Sequence, residues 1–278
     1  MYFGDKEFGS KGLWSALRAT TTPPQSPYDP LAVQLFSRFT TEPDPDRKAV
    51  INDRIVAGKA TSWWDKLEGL WVTAAHAPDA AIQNWLSPEY TCSIVGSPPF
   101  VTDRGFSGNS SGYLDTNFNP VSIPDSKFTL SSGSFGVRSN IDSMGSGIMA
   151  GYWDGTRGTT INPRDNSSRI QGRVNQRGVS TSSVTVANSI GIIVINRSLP
   201  SGSGAVEIFK DGTRIGNLST AVDSVMADGS LRFGGAGSGQ WRSNEFGLGF
   251  VGGSLTAAEI LSIYQWFEPY REAVGLPA

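Results

Sequence analysis

The stretch that decides the fold is residues 205–217, AVEIFKDGTRIGN, in which apolar and polar side chains alternate on both sides of Asp211 and Gly212. Alternation with a period of two is typical of a half-buried β-strand. The Asp-Gly pair is typical of a two-residue turn whose first residue takes a positive φ. We therefore predict a β-hairpin here, with Asp211 in the left-handed region.

The register of this hairpin divides its side chains between two faces. A two-residue turn sets three cross-strand pairs, namely Lys210 with Thr213, Phe209 with Arg214, and Ile208 with Ile215. Aliphatic side chains share one face, which we assign to the core: Val206, Ile208 and Ile215. Glu207, Phe209 and Arg214 share the other face, where an arginine can stack on a phenyl ring. An outward phenylalanine predicts that a partner covers Phe209 and Arg214.

Similar short runs occur on both sides of the hairpin, beginning near residue 91. They include KFTLSSGSFGVRS, SRIQGRVNQ, SIGIIVINRS, GSLRFGG and NEFGLGFVGG. The runs are separated by Gly, Ser, Asn or Pro, and no helical pattern lies between one run and the next. Regularly spaced short strands with turn signals predict an antiparallel β-sandwich or barrel, so the fold class is mainly β.

One helix is predicted after the last run, in GGSLTAAEILSIYQWF (residues 252–267). Thr256 and Glu259 have the spacing of a capping box, and Leu255 and Ile260 stand where a hydrophobic staple places them. Apolar positions then recur at helical spacing: Ile260, Ile263, Tyr264 and Phe267. We expect this C-terminal helix to lie on the sandwich.

The chain before residue 91 has a different composition, with five of the eight tryptophans but only five of the 33 glycines. The spacing predicts three short helices. The first is capped by Asp44, has Pro45 at its first position and ends at Gly58. The second runs from Ser62 to Trp71 with Trp64 and Leu67 facing inward, and the third covers residues 78–86 with Ile82 and Trp85 facing inward. Because the core of these helices is small, we expect them to pack against the sandwich. We divide the chain into an arm (1–30), a small helical domain (31–90) and a jelly-roll sandwich with its helix (91–278).

The arm ends in the proline-rich stretch TTTPPQSPYDP, residues 20–30, which is typical of an extended linker. The residues before it have too little apolar surface to fold alone. Their aromatic side chains are predicted to dock on a partner: Tyr2, Phe3, Phe8 and Trp14.

Composition excludes several classes of protein. A net charge of −2 argues against nucleic-acid binding, which needs a basic excess. Since the sequence has no apolar run of about 18 residues, we expect no membrane insertion. The first residues lack the apolar stretch of a secretory signal, so we expect synthesis in a cytoplasm without ordinary export. The single cysteine, Cys92, allows no intramolecular disulfide.

Several segments together resemble a group of phage and prophage proteins. They are TDRGFSGNSSGYLDTNFNP (102–120), FGVRSN (135–140), VEIFKDGTRIGN (206–217) and the C-terminal LGFVGGSLTAAEILSIYQWFEPYREAVG, with a similar helical lead-in over 35–86. Proteins of this group carry a concanavalin A-like (laminin G-like) jelly roll after a short helical region. The resemblance covers roughly residues 31–275 and implies a virion component: a tail fibre, a tail tip, or a head or tail decoration. It also implies other virion proteins as partners, a homo-oligomer, and assembly in the host cytoplasm.

The sequence offers little for catalysis. The only histidine, His76, lies among predicted helices, and we expect both it and Cys92 to be structural. Sandwich glycosidases use paired carboxylates in an E-x-D-x-x-E pattern, which is absent; Glu207 and Asp211 are four residues apart, and Glu245 stands alone. Scattered Asp and Asn residues fit turns better than a metal site, although a calcium ion at the sandwich rim stays open. We expect no enzyme activity and no cofactor.

Two loops carry candidate sugar-binding residues. An exposed aromatic ring beside polar groups is typical of such sites, and the two loops supply Trp153 with Asp154, and Trp241 with Gln240, Arg242 and Asn244. Trp241 is the better candidate, because its polar neighbours could reach sugar hydroxyls. The alternative is that these tryptophans cap the core or touch a neighbouring subunit.

Five arginines between residues 157 and 177 face a single acidic residue, Asp165. This excess predicts an interface with an acidic partner or an anionic surface glycan, carried by Arg164, Arg169 and Arg173. The alternative is a solvated basic face.

Three hypotheses follow. The first is a structural virion protein that contributes to particle assembly. The alternative is a carbohydrate-binding, lectin-like module that recognises a host-surface glycan. The third, a glycan hydrolase, lacks the expected carboxylates.

Overall fold

The computed structural model describes residues 1, 26–177, 182–202, 205–218, 222–237 and 240–278. The predicted docking residues of the arm, Tyr2, Phe3, Phe8 and Trp14, lie outside these ranges. In the described part of the chain, no helix is long and apolar enough to cross a membrane.

The fold is mainly β, with two antiparallel sheets packed as a sandwich. Sheet A contains β1 (Leu67–Trp71), β3 (Phe100–Val101), β4 (Gly105–Ser107), β6 (Gly133–Ser139), β11 (Gly191–Arg197), β12 (Val206–Lys210), β13 (Thr213–Leu218) and β15 (Glu245–Gly252). Sheet B contains β2 (Ser93–Val95), β5 (Tyr113–Asp115), β7 (Ala150–Trp153), β8 (Arg157–Asn162), β9 (Arg169–Arg177), β10 (Ser182–Thr185) and β14 (Arg232–Phe233).

Strand order is 13-12-11-6-15-4-3 in sheet A and 10-9-8-7-14-5-2 in sheet B. In sheet A, β1 also pairs with β15. The helices are α1 (Pro30–Phe36), α2 (Pro45–Lys59), α3 (Pro78–Ala81) and α4 (Ala257–Ala273), with 3₁₀ turns at Trp64–Lys66 and Pro120–Ser122.

Two apolar layers hold the molecule together. The first lies between the sheets and includes Phe135, Ile193, Ile208 and Phe233. The second lies between sheet A and the helices, where Phe250 of β15 packs with residues of α2 and α4. Because sheet A is covered on both faces, its central strands are apolar on both, and β11 is buried along its whole length.

The hairpin of residues 205–217 forms as predicted, except for part of its register. Asp211 has φ 50° and Gly212 φ 75°, which confirms the turn. Phe209 pairs with Arg214 as expected, but Ile208 pairs with Gly216 because a bulge displaces the register. The extra residue, Ile215, still packs against the core between the sheets.

The outward face of this hairpin is covered by the chain itself. Phe209 is fully buried in the second apolar layer, together with Ile263 and Phe267 of α4. Its prediction as part of a partner interface is therefore wrong, because the covering surface is the C-terminal helix. Arg214 is exposed and forms an ion pair of 2.9 Å with Glu207.

The C-terminal helix confirms its sequence signals. The Thr256 hydroxyl accepts a hydrogen bond from the Glu259 N–H, and the Glu259 carboxylate accepts one from the Thr256 N–H. Ile260, Ile263 and Phe267 are buried.

The helical lead-in is only partly as predicted. Asp44 and Pro45 begin α2, but the helix continues one residue past Gly58, to Lys59. The helix expected from Ser62 to Trp71 is a 3₁₀ turn followed by β1, because β15 offers that segment a free edge to pair with. The third helix, α3, ends at Ala81. The division at residues 30 and 90 stays a prediction.

Candidate functional site

A small cleft of about 130 Å³ opens on sheet B and brings together residues from three segments. Among the described residues, Ile148, Trp153, Arg173 and Gln240 line it. Trp153 ends β7, and Arg173 lies in β9 between two positions that face the core, Gly172 and Val174. Alternation along the strand therefore directs Arg173 to the outer face of the sheet.

Strand pairing and one turn fix the walls of the cleft. Arg173 pairs with Thr160 of β8, and β8 pairs with β7, so that β7 and β9 flank a single strand. The Trp153 N–H donates to the Ala236 carbonyl at 2.7 Å, and the Ala236 N–H donates to the Gln240 carbonyl at 3.0 Å. These bonds tie the loop carrying Gln240 to the end of β7.

The central contact of the cleft is a stack between Arg173 and Trp153. The guanidinium carbon lies 4.3 Å from the centroid of the indole ring. A cation–π contact of this kind contributes about 1–2 kcal/mol when it is shielded from water. Only 8% of Arg173 is exposed, and this burial lowers the pKa of its guanidinium. The stack presents a planar donor group beside an aromatic surface.

Asp154, beside Trp153, does not line the cleft. Its Oδ1 accepts the N–H groups of Thr156 at 2.7 Å and Arg157 at 2.8 Å. This is a local turn, in which an aspartate side chain caps the backbone. Its role in ligand binding stays a prediction.

The predictions for Arg242 and Asn244 are wrong. Arg242 is 6% exposed, and its guanidinium donates to the carbonyls of Ser143 and Gly145 and to the side chains of Asn162 and Asn244. Burial lowers the pKa of Arg242 to about 10. Both side chains hold loops together inside the molecule, so neither is placed to reach a ligand.

Trp241 is half-buried beside Gly235, with which it forms an isolated bridge, and it does not line the cleft. Of the two predicted loops, the structure thus brings together Trp153 and Gln240. Sequence reasoning missed Ile148 and assigned Arg173 to a basic surface for an acidic partner or an anionic surface glycan, without placing it beside Trp153. Only the pairing of β7, β8 and β9 reveals that Arg173 meets Trp153, and single-sequence patterns do not carry that pairing.

The predicted arginine excess is largely neutralised within the chain. Arg157 lies 3.3 Å from Asp223, Arg164 lies 2.8 Å from Asp142, and Arg169 lies 2.9 Å from Asp165. Two of these carboxylates, those of Asp142 and Asp223, lie outside residues 157–177. A count of charges within that stretch of sequence therefore leaves them out. Arg164 and Arg169 are therefore paired with acids of their own chain, which counters their prediction as an interface for an acidic partner.

The other chemistry-bearing residues make structural contacts. His76 Nε2 lies 2.8 Å from the Thr41 carbonyl oxygen. Cys92 is buried, and burial raises the pKa of its thiol. Glu245 lies 2.7 Å from Arg104. Within the described ranges, no three His, Cys, Asp or Glu side chains converge on a possible metal position.

A larger cavity of about 320 Å³ lies between the lead-in and the sandwich. It is lined by Trp64, Asp65, Leu67, Glu68, Leu86, Ser87, Glu89, Tyr90 and Lys127. The Glu68 carboxylate accepts from the Ser126 hydroxyl at 2.9 Å and from the Lys127 N–H at 3.0 Å. Glu68 is thus committed to fixing the loop before β6, and the cavity lacks the stacked cation and ring of the smaller cleft.

Comparison with known proteins identifies the fold. No protein-family model and no curated protein matches the chain. Domain 4 of AbnA, an extracellular arabinanase from Geobacillus stearothermophilus solved with arabinotriose, is similar at 11% identity and a TM-score of 0.50, covering 72% of this chain and 98% of that domain.

Two further similar structures belong to larger proteins. One is a structure of botulinum neurotoxin type C, a toxin whose cell entry depends on two ganglioside molecules. It is 12% identical to this chain with a TM-score of 0.52, and the match covers 72% of this chain. A Trypanosoma rangeli sialidase complex is 12% identical with a TM-score of 0.50 and covers 80%. The chain spans about half the length of the toxin structure (51%) and 39% of the sialidase. At these identities the likeness establishes a shared β-sandwich fold.

Proposed function

We propose that this chain is a carbohydrate-binding β-sandwich module whose ligand lies in the cleft of Trp153, Arg173 and Gln240. The stack of Arg173 on Trp153 is the observation that carries the proposal. Sugar recognition needs an apolar ring surface beside groups that hydrogen-bond hydroxyls, and this cleft supplies an indole, a guanidinium and an amide. No catalytic step is part of the proposal.

The comparisons support the same class of function. The arabinanase domain was solved with arabinotriose, and type C neurotoxin depends on gangliosides for cell entry. Sandwiches of this shape therefore serve glycan binding in at least two other proteins, and the cleft is where this chain offers similar chemistry.

A glycan array on the full chain tests the proposal, followed by titration of any bound sugar. We expect Trp153→Ala to weaken binding at least about tenfold, because truncating an aromatic anchor residue costs roughly 2 kcal/mol or more. Gln240→Ala should weaken it less. Trp241→Ala should have little effect, since that ring does not line the cleft.

A matched control is Glu89→Gln, at the exposed rim of the larger cavity. Near-ultraviolet circular dichroism confirms that each variant stays folded. Binding that survives Trp153→Ala but is lost in Glu89→Gln would place the ligand in the larger cavity and overturn the assignment. An array without any bound glycan would overturn the function itself.

The setting of such a module is a separate part of the proposal. The sequence resemblance suggests a phage particle, with other virion proteins or further copies of this chain as partners and with host-surface attachment as the purpose. Labelling an intact particle with an antibody against the chain tests this part independently of sugar binding.

A further inference from the structure

We infer that Arg242 is a positioning residue for the cleft: it holds together the two loops that carry Ile148 and Gln240, and so fixes the shape of the binding site before a sugar enters. The inference rests on the proposed function and goes beyond it, because it assigns a role in affinity to a side chain that does not line the cleft. It is carried by the hydrogen bonds of Arg242 and by the close approach of the two loops at Gly147.

Two walls of the cleft come from separate loops. Ile148 lies in the loop between β6 and β7, two residues before β7 begins. Gln240 lies in the loop between β14 and β15. Neither residue belongs to a strand, so the strand pairing that places Trp153 and Arg173 does not place them. Their positions depend on what joins the β6–β7 loop to the β14–β15 loop.

The guanidinium of Arg242 joins these loops. Arg242 follows Gln240 by two residues, and it donates to the carbonyls of Ser143 and Gly145 in the β6–β7 loop. It also donates to the Asn162 side chain at 2.8 Å, and Asn162 donates to the Gly145 carbonyl at 3.0 Å. Because Arg242 is buried, water competes weakly for these bonds.

The two loops also approach each other through their backbones. A Cβ on Gly147 would overlap the carbonyl oxygen of Trp241. Gly147 precedes Ile148 and Trp241 follows Gln240, so this approach lies one residue from each of the two cleft positions. A side chain at residue 147 therefore forces the loops apart beside the cleft.

Backbone bonds connect the same loops to Trp153. Trp241 forms an isolated bridge with Gly235, and the next residue, Ala236, accepts the Trp153 N–H at 2.7 Å. The β6–β7 loop, the described part of the β14–β15 loop and the end of β7 thus form one hydrogen-bonded unit around the cleft. A preformed site of this kind binds more tightly than one that must first order a loop.

The test separates the shape of the cleft from the stability of the fold. Gly147→Ala is the variant, because it forces the loops apart and leaves every side chain of the cleft in place. Gly58→Ala is the control, because its Cβ overlaps the Trp64 ring in the apolar layer on the far side of sheet A. Both variants are studied at a temperature where near-ultraviolet circular dichroism shows them folded.

Calorimetry measures the affinity of each variant for the array glycan that binds the unaltered chain most tightly. We expect Gly147→Ala to bind it about fivefold or more weakly, since ordering a single backbone residue on binding costs about that factor. Gly58→Ala should bind it as the unaltered chain does.

Amide hydrogen exchange followed by NMR adds a readout that needs no sugar. The Trp153 and Ala236 N–H groups report on the joined loops, and the amides of β11 report on the whole fold. In Gly147→Ala the first two should exchange about tenfold or more faster relative to β11 than in the unaltered chain. In Gly58→Ala this ratio should stay unchanged.

Arg242→Lys tests the guanidinium itself. Lysine keeps the positive charge but lacks the planar fork that reaches several acceptors at once. We therefore expect weaker binding and faster exchange of the Trp153 and Ala236 amides relative to β11. If Gly147→Ala fails to fold, Arg242→Lys takes its place in the comparison with Gly58→Ala.

Full affinity in folded Gly147→Ala, with an unchanged exchange ratio, would overturn the inference and leave the proposed function in place. Equal weakening of binding in Gly58→Ala would also overturn it, since loss of stability alone would then account for the effect. An array without any bound glycan would overturn the proposed function and this inference together.

Discussion

At the scale of single residues, Arg242 shows how burial changes the role of a polar side chain. Its guanidinium donates to acceptors on three separate segments, including the Ser143 carbonyl and the Asn162 side chain. We expect Arg242→Met to destabilise the fold by about 3 kcal/mol, because buried acceptors lose charge-assisted donors. Guanidinium chloride unfolding measures this difference.

The control for that variant is Arg214→Met on the exposed face of β13. Arg214 also forms an ion pair, with Glu207 at 2.9 Å, but it lies in water. An exposed pair contributes roughly 0–1 kcal/mol, so this variant should unfold close to the unaltered chain. A similar loss in the free energy of unfolding for Arg242→Met and Arg214→Met would contradict the expected difference between a buried and an exposed arginine.

The contacts of Glu259 predict that the stability of the fold depends on pH. Burial alone raises the pKa of Glu259, but hydrogen bonds from Lys66, Thr256 and Ser62 outweigh it and leave the pKa below its ordinary value. A carboxyl whose pKa is lowered by folding stabilises the protein above its unfolded pKa, about 4.3, and this stabilisation is lost as pH falls through the folded pKa.

Glu259→Gln should therefore lower the free energy of unfolding at pH 7, and the gap between the two proteins should narrow below about pH 4.3. Urea unfolding from pH 7 to pH 3 measures both curves. Thr256→Ala is the companion variant, since it removes the cap hydroxyl, worth about 1 kcal/mol, without removing the titrating group. If the difference in the free energy of unfolding between the two proteins stays constant from pH 7 to pH 3, Glu259 is not the source of the pH dependence.

Residue roles were predictable only where they depended on near neighbours in sequence. Asp211 and Thr256 act through residues one to three positions away, and both behaved as expected. Arg242 and Arg173 depend on segments far along the chain, so their burial and stacking were invisible to local patterns. For this reason the sequence named Trp153, Gln240 and Arg173 as candidates but did not show that the three lie in one cleft.

At the scale of elements, α2 gives a prediction in which two effects oppose each other. Gly58 lies in the helix near its end, where alanine is favoured over glycine by about 1 kcal/mol. A Cβ at this position would, however, overlap the ring of Trp64, which is packed in the second apolar layer. Overpacking costs about 1–3 kcal/mol, so we expect Gly58→Ala to be net destabilising by up to about 2 kcal/mol.

Thermal unfolding of Gly58→Ala and Val56→Ala makes the comparison. Val56 lies on the exposed side of the same helix, where alanine should leave stability unchanged or slightly raise it. A higher unfolding temperature for Gly58→Ala would show that the helix moves freely against Trp64 and that the contact is unimportant.

A helix or strand was predictable where the spacing of its apolar residues in the sequence matched the face that is buried in the structure. The hairpin and α4 each carry a complete local signal, namely a turn or a cap followed by the correct period. The segment Leu67–Trp71 does not, because its apolar positions suit a helix as well as a strand buried on both faces. Pairing with β15, a tertiary event, decides in favour of the strand.

At the scale of the whole molecule, the lead-in and the sandwich share one apolar layer and are joined by hydrogen bonds. The Trp63 indole donates to the Ser262 hydroxyl at 3.1 Å, the Trp266 indole to the Arg54 carbonyl at 2.6 Å, and the Tyr270 hydroxyl to the Ala74 carbonyl at 2.8 Å. Each bond joins the segment 31–90 to α4. The predicted domain boundary at residue 90 therefore runs through a continuous core.

This continuity predicts that residues 91–278 do not fold natively alone. Without β1 and α2, the outer face of sheet A exposes Phe250 and Leu248, and β15 loses the strand that pairs with its second half. An exposed apolar face and an open strand edge favour aggregation. We expect fragment 26–278 to unfold cooperatively, like the full chain, and fragment 91–278 to bind a hydrophobic dye and lack a sharp unfolding transition. A cooperative transition in fragment 91–278 would instead establish the sandwich as an independent domain and confirm the boundary predicted from composition.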